Sequence, residues 1–323
     1  MSLLEVRGLR VELPRRKGAA TVLVDGLDLA VDAGEVVALA GESGSGKSIS
    51  MLALMGLLPR GVRASGRIAF DGRELLDGAR GGGVEAARGR EIAMVMQNPM
   101  TSLHPLLTVE HQLTEHMRWH LRLDRAGARR RALELLEHVR LPNPERALRS
   151  YPHEFSGGMR QRIAIACALA CRPRLLIADE PTTALDTTVQ AGILKLLDDL
   201  RRDDGLAVVL ITHDLGVVAA LADRLAVLYS GRLAETGTAR ALLEAPRHPY
   251  TRALLDSLPD PKVGDQELIA VRGAPPAPNA RPPGCAFHPR CGFARDGCRE
   301  AVPALAPLAG ARELACPVDP LRR

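Results

Sequence analysis

Eight residues constrain this chain more than any others: Gly41-Glu42-Ser43-Gly44-Ser45-Gly46-Lys47-Ser48. They lie between the apolar run Val36-Val37-Ala38-Leu39-Ala40 and the helix-like Ile49-Ser50-Met51-Leu52-Ala53-Leu54. A buried strand that leaves through three glycines into a helix makes either a turn needing positive φ or a cradle for phosphate. Glycines let successive backbone N–H groups converge on an anion, and the helix start adds its positive dipole end. In the cradle reading, Lys47 reaches the β- and γ-phosphates of a nucleotide and the Ser48 hydroxyl ligates Mg²⁺.

A site of that kind needs an acidic residue at the end of a second apolar strand. Leu175-Leu176-Ile177-Ala178-Asp179-Glu180 supplies two. Asp179 is expected to hold the Mg²⁺ shell and Glu180 to polarise an attacking water. Between the two motifs, Phe155-Ser156-Gly157-Gly158-Met159-Arg160-Gln161-Arg162 opens another helical run. Its exposed amides and hydroxyl make a second anion site. One nucleotide needs only one such site, so this one suits the γ-phosphate of a nucleotide held by another subunit.

Period-two alternation runs through residues 1–76 (Leu4, Val6; Val11, Leu13; Leu27, Leu29, Val31), with an Asp71-Gly72 hairpin turn. The Gly/Arg/Ala-rich stretch 78–90 reads as a surface loop. From about 108 to 171 the spacing is helical, as in Ala132, Leu133, Leu136 and Val139. The apolar runs 175–178, 207–211 and 225–229 then point to a mostly parallel sheet. The Pro-rich stretch Ala274-Pro275-Pro276-Ala277-Pro278 sets off a C-terminal segment with four of the six cysteines.

Composition narrows the partners. A formal charge of +5 with 2% aromatic residues is too little for a dedicated nucleic-acid binder and leaves few rings for base stacking. No run approaches the roughly 18 apolar residues that span a bilayer; the nearest, 163–171, is flanked by Arg162 and Arg172. The N-terminus lacks the pattern of a signal peptide, so a cytosolic chain is expected. Cysteines there argue for metal or inert thiols over disulfides.

In their order, these motifs closely resemble the ATP-hydrolysing subunits of ABC transporters, over about residues 1–260. Residues 41–48 match the Walker A loop, Asp179 with Glu180 the Walker B pair, and Ser156-Gly157-Gly158 the signature. Gln97 matches the Q-loop, Ala184-Leu185-Asp186 the D-loop and His213 the switch histidine. Taken singly, Gln97 or His213 reads as an ordinary surface or core residue. The implied fold is an α/β P-loop NTPase of ABC type. It has an antiparallel β subdomain, a helical signature subdomain at about 98–170, and a small cysteine-containing region at 261–323.

The resemblance implies ATP and Mg²⁺ as ligands. Gln97 would join Ser48 and Asp179 at the metal, and His213 would hydrogen-bond the γ-phosphate and the attacking water. Two departures stand out. Residues 1–69 hold no Phe, Tyr or Trp to stack on adenine, leaving Val22 or the stem of Arg16 to serve; and Met159 stands where glutamine is common.

Three stretches resemble the dipeptide/oligopeptide-importer branch. They are Gln97-Asn98-Pro99-Met100-Thr101-Ser102-Leu103-His104-Pro105, Thr212-His213-Asp214-Leu215-Gly216-Val217-Val218 and His248-Pro249-Tyr250-Thr251-Arg252-Ala253-Leu254-Leu255. This branch also serves nickel and glutathione. The resemblance implies a head-to-tail dimer with a homologous second ATPase subunit, two membrane permeases and an extracytoplasmic binding protein. It implies no nucleic acid, and a peripheral place on the cytoplasmic face of the membrane. A nucleic-acid ATPase of the same superfamily would tend to show two nucleotide domains or zinc knuckles inside the ATPase domain.

Cys285, Cys291, Cys298 and Cys316 lack a tight C-x₂₋₄-C zinc knuckle. The tail resembles the region of peptide-importer ATPases that binds a [4Fe–4S] cluster, which requires four cysteines. Zinc, with His288, and inert thiols are the alternatives. Cys167 and Cys171 read as core residues, and the tail reads as standing away from every phosphate-binding motif.

Overall fold

Alternating apolar residues build the first sheet of this computed structural model, which describes residues 2–321 apart from Arg16, Ala79, Gly82, 99–101, Ala184 and 258–270. The chain divides into two compact units, one of residues 1–31, 36–84 and 212–323, the other of 32–35 and 85–211. In the first unit the strands run Thr21–Val31, Leu4–Leu13, Arg63–Phe70, Arg73–Asp77, Arg80–Gly81, all antiparallel. Leu4, Val6, Val11, Leu27, Leu29 and Val31 are buried as the alternation requires. A register shift between Val6 and Leu9, with Gly8 at φ +57°, turns Leu9 inward as well. Leu13 departs from expectation: it ends its strand 42% exposed.

Asp71 and Gly72, both at positive φ, form the expected hairpin turn. The stretch 78–90 holds more structure than a surface loop. Arg80–Gly81 pairs with the end of Arg73–Asp77, and Val84–Ala87 forms one helical turn with both terminal residues buried. Two apolar residues three apart were the only signal, diluted by glycine.

The same unit lays Val36–Ala40 parallel to Arg224–Tyr229, which pairs antiparallel with Arg232–Thr238. The C-terminal strand Arg312–Leu314 adds to the far edge of Arg232–Thr238. Residues beyond the Pro-rich stretch therefore pack back on this unit, and Phe287 joins Tyr229 and Tyr250 in its core. The boundary expected at 260/261 lies outside the described residues.

In the second unit Ile92–Val95, Leu175–Asp179 and Ala207–Thr212 run parallel. The helices Val109–His120, Arg125–His138, Pro144–Arg149 and Gly157–Leu169 occupy the stretch read as helical. Val109, Leu113 and Met117 form one buried stripe, and Ala128, Ala132, Leu135 and Leu136 another. Thr108 and Asp124 cap the first two helices, accepting from the N–H groups of His111 and Gly127.

Candidate active site

Strand Val36–Ala40, buried throughout, delivers the chain to the glycine loop. At Gly41 a Cβ would lie 2.2 Å from the Leu228 carbonyl oxygen, so only glycine fits. Gly46, at φ +110°, starts the helix Lys47–Leu54. The Lys47 ammonium donates to the carbonyls of Gly41 (2.7 Å) and Glu42 (3.0 Å) and to Ser45 Oγ (3.4 Å). The Gly231 N–H donates to the Ser45 carbonyl at 2.7 Å, closing the loop from outside. Ser43, Gly44 and Ser48 are exposed. Cation, hydroxyl and helix start thus share one short segment, as anion binding requires.

Two residues that sequence reasoning missed hold this loop from behind. The Glu42 N–H donates to Tyr250 Oη at 2.7 Å, and the Glu42 carboxylate takes a two-pronged bond from Arg290 at 2.6 and 2.9 Å. In sequence, His248-Pro249-Tyr250 carries only a family resemblance. Nothing in the sequence pointed to Arg290.

The second unit holds Gln97, Ser156–Gly158, Asp179 and Glu180. Asp179 ends its strand 5% exposed. Glu180 follows at φ +46°, its N–H donating to the Ile211 carbonyl at 2.9 Å. Its Oε2 accepts from Gln97 Nε2 at 2.6 Å and from Thr183 Oγ1 at 2.9 Å. Two donors orient that carboxylate, and one of them is the residue leading into the helical segment.

Ser156 caps the helix Gly157–Leu169 by accepting the Met159 N–H, which leaves Ser156 and Gly157 exposed at its start. A Cβ on Gly158 would lie 2.4 Å from Val189 Cγ1, so glycine is required where the signature meets the helix Thr187–Asp204. Asp186 caps that helix through the Val189 N–H at 2.9 Å; Ala184 lies outside the described residues. His213 is exposed just beyond strand Ala207–Thr212, in the turn that Asp214 closes by capping Leu215–Leu221.

The family profile of the ABC transporter matches residues 24–183, and that of the oligopeptide/dipeptide transporter C-terminal region residues 234–298. The dipeptide transport ATP-binding protein DppD of Escherichia coli (strain K12) is 46% identical over 325 residues, 99% of this chain and 98% of its own. The oligopeptide transport ATP-binding protein AppD of Bacillus subtilis (strain 168) is 44% identical over 317 residues, 98% and 96% of the two chains. The chain belongs to the ATP-binding subunits of dipeptide/oligopeptide ABC transporters. Among solved structures, the dimeric bacterial ABC transporter cassette MJ0796 superposes with a TM-score of 0.64 at 29% identity, covering 73% of this chain and 99% of its own. The fold is accordingly the P-loop ABC type, and the protein is an ATPase coupled to transport.

In this ABC subunit the four tail cysteines line one small pocket with His248, His288, Phe287 and Phe293. Burial pushes the Cys285, Cys291 and Cys316 thiols up, and their mutual proximity adds to the rise. Four soft thiols with no carboxylate among the described lining residues are a donor set suited to iron–sulfur or zinc. Among the described residues, however, no group of three or more His, Cys, Asp or Glu has the geometry to hold a metal ion. The iron–sulfur expectation is therefore not shown. The expectation that the tail stands away from the phosphate motifs is overturned by Arg290, which precedes Cys291 and bonds Glu42. Cys171 is buried, its thiol donating to the His116 carbonyl at 3.6 Å, and burial pushes the Cys167 thiol up to about 12.

Residues 1–69 of the subunit contain no Phe, Tyr or Trp. Val24 and Leu228 adjoin Gly46, and Val22 is half-buried on its strand; Arg16 lies outside the described residues. No described helix is long and apolar enough to cross a membrane.

Proposed function

We propose that this subunit hydrolyses ATP to drive import of peptides through a membrane transporter. The observation that carries the reading is the hydrogen bond from Gln97 to Glu180 in a chain that also keeps a complete Gly-x₄-Gly-Lys-Ser loop. Residues 41–48 cradle the β- and γ-phosphates, with Lys47 as counter-charge. Ser48, Asp179 and Gln97 serve Mg²⁺. Glu180 takes the proton of the attacking water as the γ-phosphoryl group passes to it, leaving ADP and phosphate, and His213 contacts the γ-phosphate. Ser156, Gly157 and Gly158 complete the site of a second, homologous ATPase subunit.

The partners are that subunit, two permeases and an extracytoplasmic binding protein, with this chain peripheral on the cytoplasmic face. Cys285, Cys291, Cys298 and Cys316 would hold a [4Fe–4S] centre, which supplies a covalent cross-link of the tail when bound. The test is reconstitution with candidate permeases and measurement of ATPase stimulation. Stimulation by dipeptides supports the reading; stimulation by nickel or glutathione alone would reassign the substrate.

A further inference from the structure

Arg290 uses its guanidinium more fully than a surface arginine can. Its side chain is 5% exposed, and every nitrogen is engaged. Nη1 donates to Glu42 Oε2 (2.6 Å) and Tyr229 Oη (3.2 Å). Nη2 donates to Glu42 Oε1 (2.9 Å) and to the carbonyls of Val271 (3.3 Å) and Gly273 (3.2 Å), and Nε to that of Arg272 (2.7 Å). Its central carbon lies 5.8 Å from the ring centroids of both Tyr229 and Phe287. A fork-to-fork pair of this kind fixes orientation as well as charge.

The grip is placed where it matters. Glu42 is the second residue of the phosphate loop, and its carbonyl accepts from Lys47 while its N–H donates to Tyr250. Arg290 itself sits in a turn of the cysteine tail, closed by the His288 N–H to the Cys285 carbonyl and the Cys291 N–H to the His288 carbonyl. The tail and the phosphate loop are thus joined through one pair of side chains.

We propose that Arg290 is a positioning residue for the ATP site, clamping Glu42 so that the first turn of the phosphate loop keeps its nucleotide-binding geometry. This rests on the assignment of residues 41–48 to the nucleotide phosphates. Positioning and simple charge make opposite forecasts for Glu42→Gln. If the pair acts only by charge, removing the carboxylate leaves an unpaired cation near the triphosphate and tightens binding.

The experiment measures Mg-ATP affinity, KM and kcat for the full-length protein carrying Glu42→Gln, Arg290→Lys, Arg290→Gln, Glu42→Gln with Arg290→Gln, and Lys47→Ala. Each single change at the pair should weaken ATP binding about 10-fold or more, the scale of a small misplacement. The rise in KM should exceed any change in kcat, and the double variant should be no worse than the poorer single one. Hydrogen exchange over 41–46 should quicken in Glu42→Gln, which leaves the tail's own bonds intact. Wild-type affinity in both Glu42→Gln and Arg290→Lys would overturn the proposal, as would tighter binding by Glu42→Gln. Undiminished ATP affinity in Lys47→Ala would instead sink the assignment of the loop.

Discussion

Gln97 donates to the Glu180 carboxylate at 2.6 Å, across 83 residues of chain. The residue leading into the helical segment therefore holds the carboxylate proposed to activate water.

Replacing Glu180 should separate binding from turnover. Glu180→Gln is expected to keep ATP affinity and slow hydrolysis by ~10²–10⁴-fold, the range for loss of a general base. Single-turnover assays of γ-phosphate release decide it; retention of most of the rate would move the role to another group.

The signature glycines should differ in tolerance. Gly158→Ala drives a methyl into Val189, whereas a Cβ on Gly157 finds only Leu185 Cδ2 at 3.7 Å. Overpacking of that kind costs roughly 1–3 kcal/mol. Urea unfolding should show the loss for Gly158→Ala and little change for Gly157→Ala.

His248 makes stability pH-dependent. It is 3% exposed, accepts the Tyr250 N–H on Nδ1 at 3.0 Å, and burial holds its pKa down to about 4 from 6.5. The unfolded chain takes up a proton that the folded one refuses. The contribution is therefore full above pH 6.5 and lost as pH falls to about 4, amounting to roughly 3 kcal/mol. His248→Asn keeps a helix cap without titrating, so its unfolding free energy should fall less steeply over that window. Parallel curves would assign the slope elsewhere.

Nucleotide discrimination should be loose. Residues 1–69 hold no aromatic ring, and missing base–aromatic stacking forgoes roughly 1–3 kcal/mol. GTP should compete with ATP within a modest factor in equilibrium binding. A strong ATP preference would reveal another group reading the base.

Protein purified without oxygen should carry about four iron and four sulfide per chain, as one [4Fe–4S] centre requires. Each of Cys285→Ser, Cys291→Ser, Cys298→Ser and Cys316→Ser should lose the iron. Stoichiometric zinc without sulfide, or metal-free protein, would leave the thiols to another role.

Much of the molecule was legible in the chain because its signals are local. Glycine spacing before Lys47, the apolar strand ending at Asp179, and the cap-and-glycine start at Ser156 each follow from backbone chemistry within one turn or strand. Short elements such as the strand Arg80–Gly81 and the helical turn Val84–Ala87 were lost because two to four residues beside a glycine-rich stretch are too few to show a period. Tertiary structure alone decided what supports the phosphate loop. Tyr250 and Arg290 reach Glu42 from 208 and 248 residues away. A side-chain bond of that span leaves no period in the sequence; it exists because the tail folds back behind Tyr229 and buries the guanidinium among a carboxylate, carbonyls, the Tyr229 hydroxyl and ring faces.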